Sequence, residues 1–305
     1  MKIGLQVSSF TWPGGAAAIA PTFARIVTAA DEAGFDSIWV MDHFWQIRGG
    51  GPPEAPMLEG WTALGYAAAL TKRARLGLMV GGVHYRTAGL WAKTATTLDV
   101  LTGGRSYLGI GAAWNEEESR GLGFPFPPLK DRFEMLEETL RITHGMWQGG
   151  SGSGERFEGR HYQADRLLNS PQALSRPHPP IMIGGGGEKK TLRLVAQYAD
   201  ATNQFGGPDR LVHKFGILRQ HCEEVGRDYA SIERTNLNSI HLTENGADGS
   251  ISPSQFVDLL GSWAEAGSQH AIFSIKSVHD THAIELIGRD VISQIRDLGD
   301  PSPIS

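Results

Sequence analysis

FARIVTAADEAGFDSIWVMDHF, residues 23–44, is the stretch on which the fold reading turns. Phe23, Ile26, Val27 and Ala30 fall at i, i+3, i+4 and i+7, one face of a helix. Gly34 follows as a helix stop, and a run of strand-forming residues, Ser37 to Met41, begins almost at once. That buried-looking strand then drives straight into an acid, a base and an aromatic: Asp42, His43 and Phe44.

Outward from this stretch the same unit recurs. KIGLQV (2–7) is the strand before it. ARLGLMV (74–80) precedes a helix with Trp91, Ala95, Leu98 and Leu101 on one stripe. RSYLGIG (105–111) precedes a helix over 131–147 carrying Phe133, Leu136 and Leu140, with Asp131 and Glu134 in capping-box spacing. PIMIG (180–184) leads to a helix over 188–198, and ADATN (199–203) to one over 209–225. Residues 232–242 alternate loosely before Ser252-Pro253-Ser254-Gln255, an N-cap with Pro at the first helical position and Gln three after the cap. Phe256, Leu259, Leu260 and Trp263 fill that helix's apolar face, Gly267 ends it, and HAIFSI (270–275) with a helix over 280–296 completes the series.

Eight strand-then-helix units predict an α/β fold with a parallel sheet closed into a (β/α)8 TIM barrel, one domain over residues 1–305. A doubly wound open sheet would more naturally carry G-x-G-x-x-G after its first strand, and LQVSSFTWPGG has none. Two insertion segments interrupt the repeat. QIRGGGPPEAPMLEG (46–60), after the second strand, reads as a loop; 148–180, after the fourth strand and its helix, reads as flexible at first and then as a short β-ribbon.

The totals exclude several classes. With 28 basic against 33 acidic residues and no basic stripe, nucleic acid and anionic membrane are not expected partners. WTALGYAAAL (61–70) is too short to span a bilayer. The single cysteine, Cys222, forbids an internal disulfide framework, fits a reducing cytoplasm, and reads as a packed thiol. Met1 runs directly into the first strand without the pattern of a signal peptide, so none is expected. No metal site is expected: H-E-x-x-H is absent, and His279 and His282 read as solvated. GSGSG (150–154) puts glycine at the centre of the nucleophile-elbow pattern and reads as linker.

In a parallel barrel the active site lies at the carboxyl ends of the strands, which explains the ionisable pair that ends the opening stretch. His43 reads either as a proton donor or acceptor in the barrel mouth or as a structural cap. The third strand ends in Gly81 and Gly82, where backbone can approach a ligand closely. The fourth ends GIGAAWNEEE, bringing Trp114, Asn115 and the acids Glu116 to Glu118. The fifth ends in Gly184 to Thr191, glycines before a helix N-terminus and thus a candidate phosphate turn, although a tight βα turn uses the same letters.

SIWVMDHF (37–44), LWAKTATTLDVLTGGRSYLGIGAAWNEEE (90–118), PFPPLKDRFEMLEETLRI (125–142) and HPPIMIGGGGEKKTLRLVAQYADATN (178–203) together resemble the luciferase-like monooxygenase superfamily, in its branch of deazaflavin (coenzyme F420)-dependent oxidoreductases. The resemblance runs from residue 1 to about 245. It implies a (β/α)8 barrel with a late insertion, a homodimer, and F420 as cofactor, with FMN the alternative. It implies His43 as the catalytic acid/base beside the reactive ring carbon, and Asp42 near the cofactor. The ring would lean on a bulge of Met79, Val80, Gly81 and Gly82, with the Met79–Val80 peptide cis. Ala112, Ala113 and Asn115 match cofactor-contacting positions, and Gly186, Gly187, Glu188, Lys190 and Thr191 fall in the phosphate-binding turn. Trp114 stands where sugar-phosphate dehydrogenases of this branch place a glutamate, which disfavours a sugar phosphate.

The expected activity is hydride transfer between the deazaflavin and a small organic substrate. The alternatives are a reduced-FMN monooxygenase on the same barrel and a non-catalytic flavin- or deazaflavin-binding protein.

Overall fold

The computed structural model describes residues 1–148 and 155–298. β1 (Lys2–Val7) leads into α1 (Ala16–Ala33), and β2 (Ser37–Val40) into α2 (Gly60–Leu70). β3 (Arg75–Leu78) and β4 (Gly81–Gly82) precede α3 (Ala88–Thr102), and β5 (Leu108–Gly111) precedes α4 (Glu116–Gly121) and α5 (Leu129–Trp147). An antiparallel ribbon of β6 (Phe157–Glu158) and β7 (Gln163–Ala164) sits in the later insertion, as expected for that segment. β8 (Ile181–Gly184), α6 (Thr191–Tyr198), β9 (Ala201–Phe205), α7 (Pro208–Val225), β10 (Glu233–Ile240) and α8 (Pro253–Glu265) follow. The order ends with β11 (His270–Ile275), α9 (His282–Asp290) and α10 (Ile292–Ile295).

The large sheet is parallel throughout, in the order β3-β2-β1-β11-β10-β9-β8-β5-β4. A bridge between Leu76 of β3 and Ser106, just before β5, closes the ring. β4 resumes the line of β3 beyond a break at the Met79–Val80 peptide, which is cis as the resemblance implies. Counting β3 and β4 as one stave gives the (β/α)8 barrel.

The strands are buried on both faces, so each alternates between two cores. In β2, Ile38 and Val40 pack outward against the helices. Trp39 points inward with Tyr107, Met182, Leu237 and Ile272 to fill the barrel. Such bulk is tolerated because β3 yields: a Cβ on Gly77 would stand 2.5 Å from the Trp39 ring. At Gly109 a Cβ would lie 1.8 Å from the Leu78 carbonyl oxygen, so β5 can close on the broken stave only with glycine there.

Several boundaries differ from the sequence reading. Asp131 does not cap α5, which starts earlier, at Leu129 after Pro128; Glu134 turns instead to Arg160 and His161. Leu101 is 75% exposed, off the buried stripe of α3. α6 begins at Thr191 rather than 188, and the final helix is broken into α9 and α10. The capping box of Ser252 and Gln255 is present. Cys222 is packed within α7, and burial pushes its thiol up. The GSGSG stretch lies outside the described residues. Among those residues no helix is long and apolar enough to cross a membrane.

Candidate active site

A cavity of about 830 Å³ opens at the carboxyl ends of the strands, bounded by the β2 end, the β3–β4 break, the β5 end and the β8 glycines. β2 ends at Val40, so Met41, Asp42 and His43 emerge into this mouth rather than into the core.

Asp42 and His43 have different partners. Asp42 is buried and takes both arms of the Arg86 guanidinium, at 2.7 and 2.8 Å. Burial raises the Asp42 carboxyl and the Arg86 fork opposes the rise. Arg86 is itself held by Glu59 and lies over the Trp91 ring at 4.7 Å.

His43 pairs with Glu118. Its Nδ1 stands 2.8 Å from Glu118 Oε2, and the carboxylate is fully buried. The other carboxylate oxygen accepts the backbone N–H groups of Phe44 and Trp45, and Tyr85 donates its hydroxyl to Oε2 at 2.7 Å. Burial alone would raise the Glu118 carboxyl, but the hydrogen bonds from His43, Trp45 and Tyr85 outweigh it and hold it below its ordinary value. Its place in the first turn of α4 adds the favourable end of the helix dipole. Burial, with Glu118 adding to it, pushes the Tyr85 phenol far up, so it stays a donor. Among the described residues His43 Nε2 has no protein partner, and the ring lines the cavity with its edge on Trp114, 5.4 Å between centroids.

Met79, Val80, Gly81 and Gly82 line one wall, with Gln6 donating to the Met79 carbonyl at 3.4 Å. Opposite, a Cβ on Gly184 would meet Val80 at 2.7 Å, and one on Gly187 would meet Thr191 Oγ1 at 2.7 Å. Ala112, Ala113, Gly187 and Thr191 also face the cavity, Ala113 with φ of 62°.

The remaining expected residues, Asn115, Gly186, Glu188 and Lys190, do not line the cavity. The Asn115 side chain caps α4 by accepting the Glu118 N–H at 3.3 Å. The Gly186 carbonyl takes Lys214 Nζ at 2.8 Å, and the Glu188 carboxylate takes Lys214 at 2.6 Å and His213 at 3.0 Å. Lys190 lies over the Phe133 ring at 5.3 Å.

Glu118 is the member of this cluster that the sequence did not single out. It stood in a run of three acids, and only the start of α4 at Glu116 sets which of them turns inward. Tyr85 and Arg86, in HYR after the glycines, gave no signal of their own. The one grouping of metal-capable side chains among the described residues, Asp131, Glu134 and His161, lies outside the mouth, with Arg160 already paired to both acids.

Fold and site define a (β/α)8 barrel whose mouth, among the described residues, holds a paired histidine and carboxylate. The luciferase-like monooxygenase family matches over residues 1–248, and the chain belongs to that family. An F420-dependent glucose-6-phosphate dehydrogenase of Nakamurella multipartita is 34% identical over 215 residues, 67% of this chain and 58% of the relative. One of Kineococcus radiotolerans is 30% identical over 245 residues, 77% of this chain and 66% of the relative. The chain therefore spans somewhat over half the length of these relatives. A solved F420-dependent secondary alcohol dehydrogenase, in complex with an F420-acetone adduct, superposes with a TM-score of 0.81 at 18% identity, covering 97% of this chain and 99% of that one. At that identity the likeness speaks for the fold.

Proposed function

We propose that this protein is a coenzyme F420-dependent oxidoreductase, moving a hydride between the deazaflavin and a small, uncharged organic substrate, with His43 handling the proton. The observation that carries this reading is the 2.8 Å pairing of His43 Nδ1 with a buried carboxylate, which leaves Nε2 for the cavity. The names of the relatives support the choice of cofactor.

The residues present fit such a group. A flat ring needs close backbone approach, and the walls around Val80 and Gly184 leave no room for further side-chain bulk. Met79, Val80, Gly81 and Gly82 would support the ring, with Asp42, Ala112 and Ala113 beside it. Gly187 and Thr191 would meet the phosphate; Gly186, Glu188, Lys190 and Asn115 hold those segments in place.

When bound, the deazaflavin supplies a ring carbon that gives or takes hydride. The chain's own residues manage the proton. With Nδ1–H donated to Glu118, the neutral imidazole presents its Nε2 lone pair to the mouth. Nε2 then takes the hydroxyl proton of an alcohol as the substrate carbon loses hydride, and returns it in the reverse direction. Glu118 holds the tautomer and stabilises the imidazolium through a charge-assisted hydrogen bond worth about 1.5–3 kcal/mol.

The substrate class follows from the lining. Among the described residues Arg48 is the one Lys or Arg that lines the cavity, while Trp114, Leu129, Phe133 and Phe205 supply apolar surface. A sugar phosphate would find little counter-charge there, so the proposed substrate is an uncharged alcohol or carbonyl compound, unlike that in the relatives' names. The same reading makes the protein a single-domain homodimer of the cytoplasm, supported by the lone packed thiol of Cys222 and by exposed Leu90 and Leu101 on α3.

The test is anaerobic fluorescence titration with F420 and with FMN, followed by turnover of an alcohol panel that includes glucose 6-phosphate. F420 should bind more tightly than FMN, and His43→Gln should lower turnover about 10²-fold at nearly unchanged affinity. Tighter FMN binding with oxygen-dependent product would move the protein to the reduced-FMN monooxygenases. Binding without turnover of any substrate would make it a carrier.

A further inference from the structure

A second cavity, of about 300 Å³, lies at the opposite end of the barrel, where the strands begin. Phe35, Tyr107 and His270 form its buried floor, and Lys2, Arg73, Arg75 and Arg296 stand around it with one lining carboxylate, Asp36. The chemistry at the mouth uses none of these groups.

The charges do not cancel locally. Lys2 is held by Glu233 at 2.7 Å, and Tyr107 spends its hydroxyl on the same carboxylate at 2.7 Å. Asp36 accepts the Ile3 N–H at 2.8 Å. Arg73 donates to the Asp31 and Glu32 carbonyls. Among the described residues none of Arg73, Arg75 and Arg296 has a carboxylate within ion-pair distance. Arg75 Nη1 is buried with no hydrogen-bond partner there. A desolvated guanidinium N–H left unpaired costs free energy, and the planar Arg fork matches the oxygens of a tetrahedral oxyanion.

We propose that this cavity binds a small oxyanion of the phosphate class, either free or as a phosphomonoester. Arg75 contacts it from the wall and Arg73 and Arg296 close over it from the rim. The ligand then ties the turn after α10, through Arg296, to the start of β3, at the barrel face where such contacts serve stability rather than chemistry. The site is separate from the mouth, so its failure leaves the proposed reaction untouched.

The experiment is thermal unfolding of the full chain against inorganic phosphate and, separately, glycerol phosphate, at an ionic strength held constant with sodium chloride. The midpoint should rise by a few degrees and saturate with phosphate. A larger response to glycerol phosphate would identify the ester as the better ligand. Arg75→Met should weaken the response tenfold or more. Arg296→Ala, at an exposed position that tolerates substitution, should weaken it several-fold and decides the matter if Arg75→Met does not fold. A midpoint that follows ionic strength alone, or variants that respond as the wild type does, overturns the site.

Discussion

Replacing Glu118 with Gln separates a carboxylate that works through His43 from one that merely fills space. The glutamine keeps the shape and can still accept the Phe44 and Trp45 N–H groups through one oxygen. Its amide nitrogen must then face His43 Nδ1 and the Tyr85 hydroxyl, both of which donate to the native carboxylate. The amide donates where the carboxylate accepted, which favours the His43 tautomer carrying its proton on Nε2, the wrong one for taking a proton from substrate. Losing one charge-assisted hydrogen bond costs about 1.5–3 kcal/mol, or roughly 10- to 150-fold in rate at about 1.4 kcal/mol per tenfold. The assay is kcat and KM on whichever alcohol the panel turns over fastest, with cofactor affinity measured by titration. We expect kcat to fall by about that factor, with cofactor affinity within threefold or so. The double variant with His43→Gln should be little worse than His43→Gln alone, because the two side chains act as one unit. A Glu118→Gln protein with kcat within twofold of wild type would refute the pairing as functional, and so would losses that simply multiply.

Gly109→Ala should destabilise by about 3 kcal/mol or fail to fold, because its Cβ would stand 1.8 Å from the Leu78 carbonyl. Gly216→Ala, in the α7 interior with open space around it, should stabilise by about 0.5–1 kcal/mol; urea unfolding that ranks the two the other way would count against the packing described. Arg86→Met leaves the Asp42 carboxylate buried without its partner and should cost about 3–5 kcal/mol, so a loss under about 1 kcal/mol in chemical denaturation would show that the pair holds little. Burial, with Arg132 adding, pushes the His84 imidazole from 6.5 down to about 4. The unfolded chain therefore binds the extra proton between those values, so stability is full above about pH 6.5 and falls as pH drops toward 4. At about 1.4 kcal/mol per pH unit the loss is about 3 kcal/mol at most. His84→Gln should flatten that acid limb of the melting profile, and an unchanged limb would remove His84 as its cause.

Local repetition made the barrel legible in the sequence itself. Helical spacing over 23–30, a glycine stop at Gly34 and a strand from Ser37 are events within about fifteen residues, and the eightfold recurrence of the strand-then-helix unit leaves few other folds. His43 was visible for the same reason, since a polar pair at a barrel strand's carboxyl end must emerge at the mouth. Boundaries were less legible. Asp131 and Glu134 have capping-box spacing, yet Pro128 starts α5 earlier and gives Glu134 to the ribbon's Arg160 and His161. Leu101 matched the helical period but fell beyond the covered face of α3.

The side-chain partnerships within the candidate site came only from the closed barrel. His43 and Glu118 are 75 residues apart, and Asp42 and Arg86 are 44 apart. Nothing local ties either pair together; closing the strands does. The fold places Asp42 against a guanidinium and His43 against a buried carboxylate, so of two adjacent ionisable residues one is neutralised and the other, among the described residues, keeps a free nitrogen in the cavity. Periodicity fixes which face of an element is buried, but which distant side chain meets it there depends on how the elements close in space.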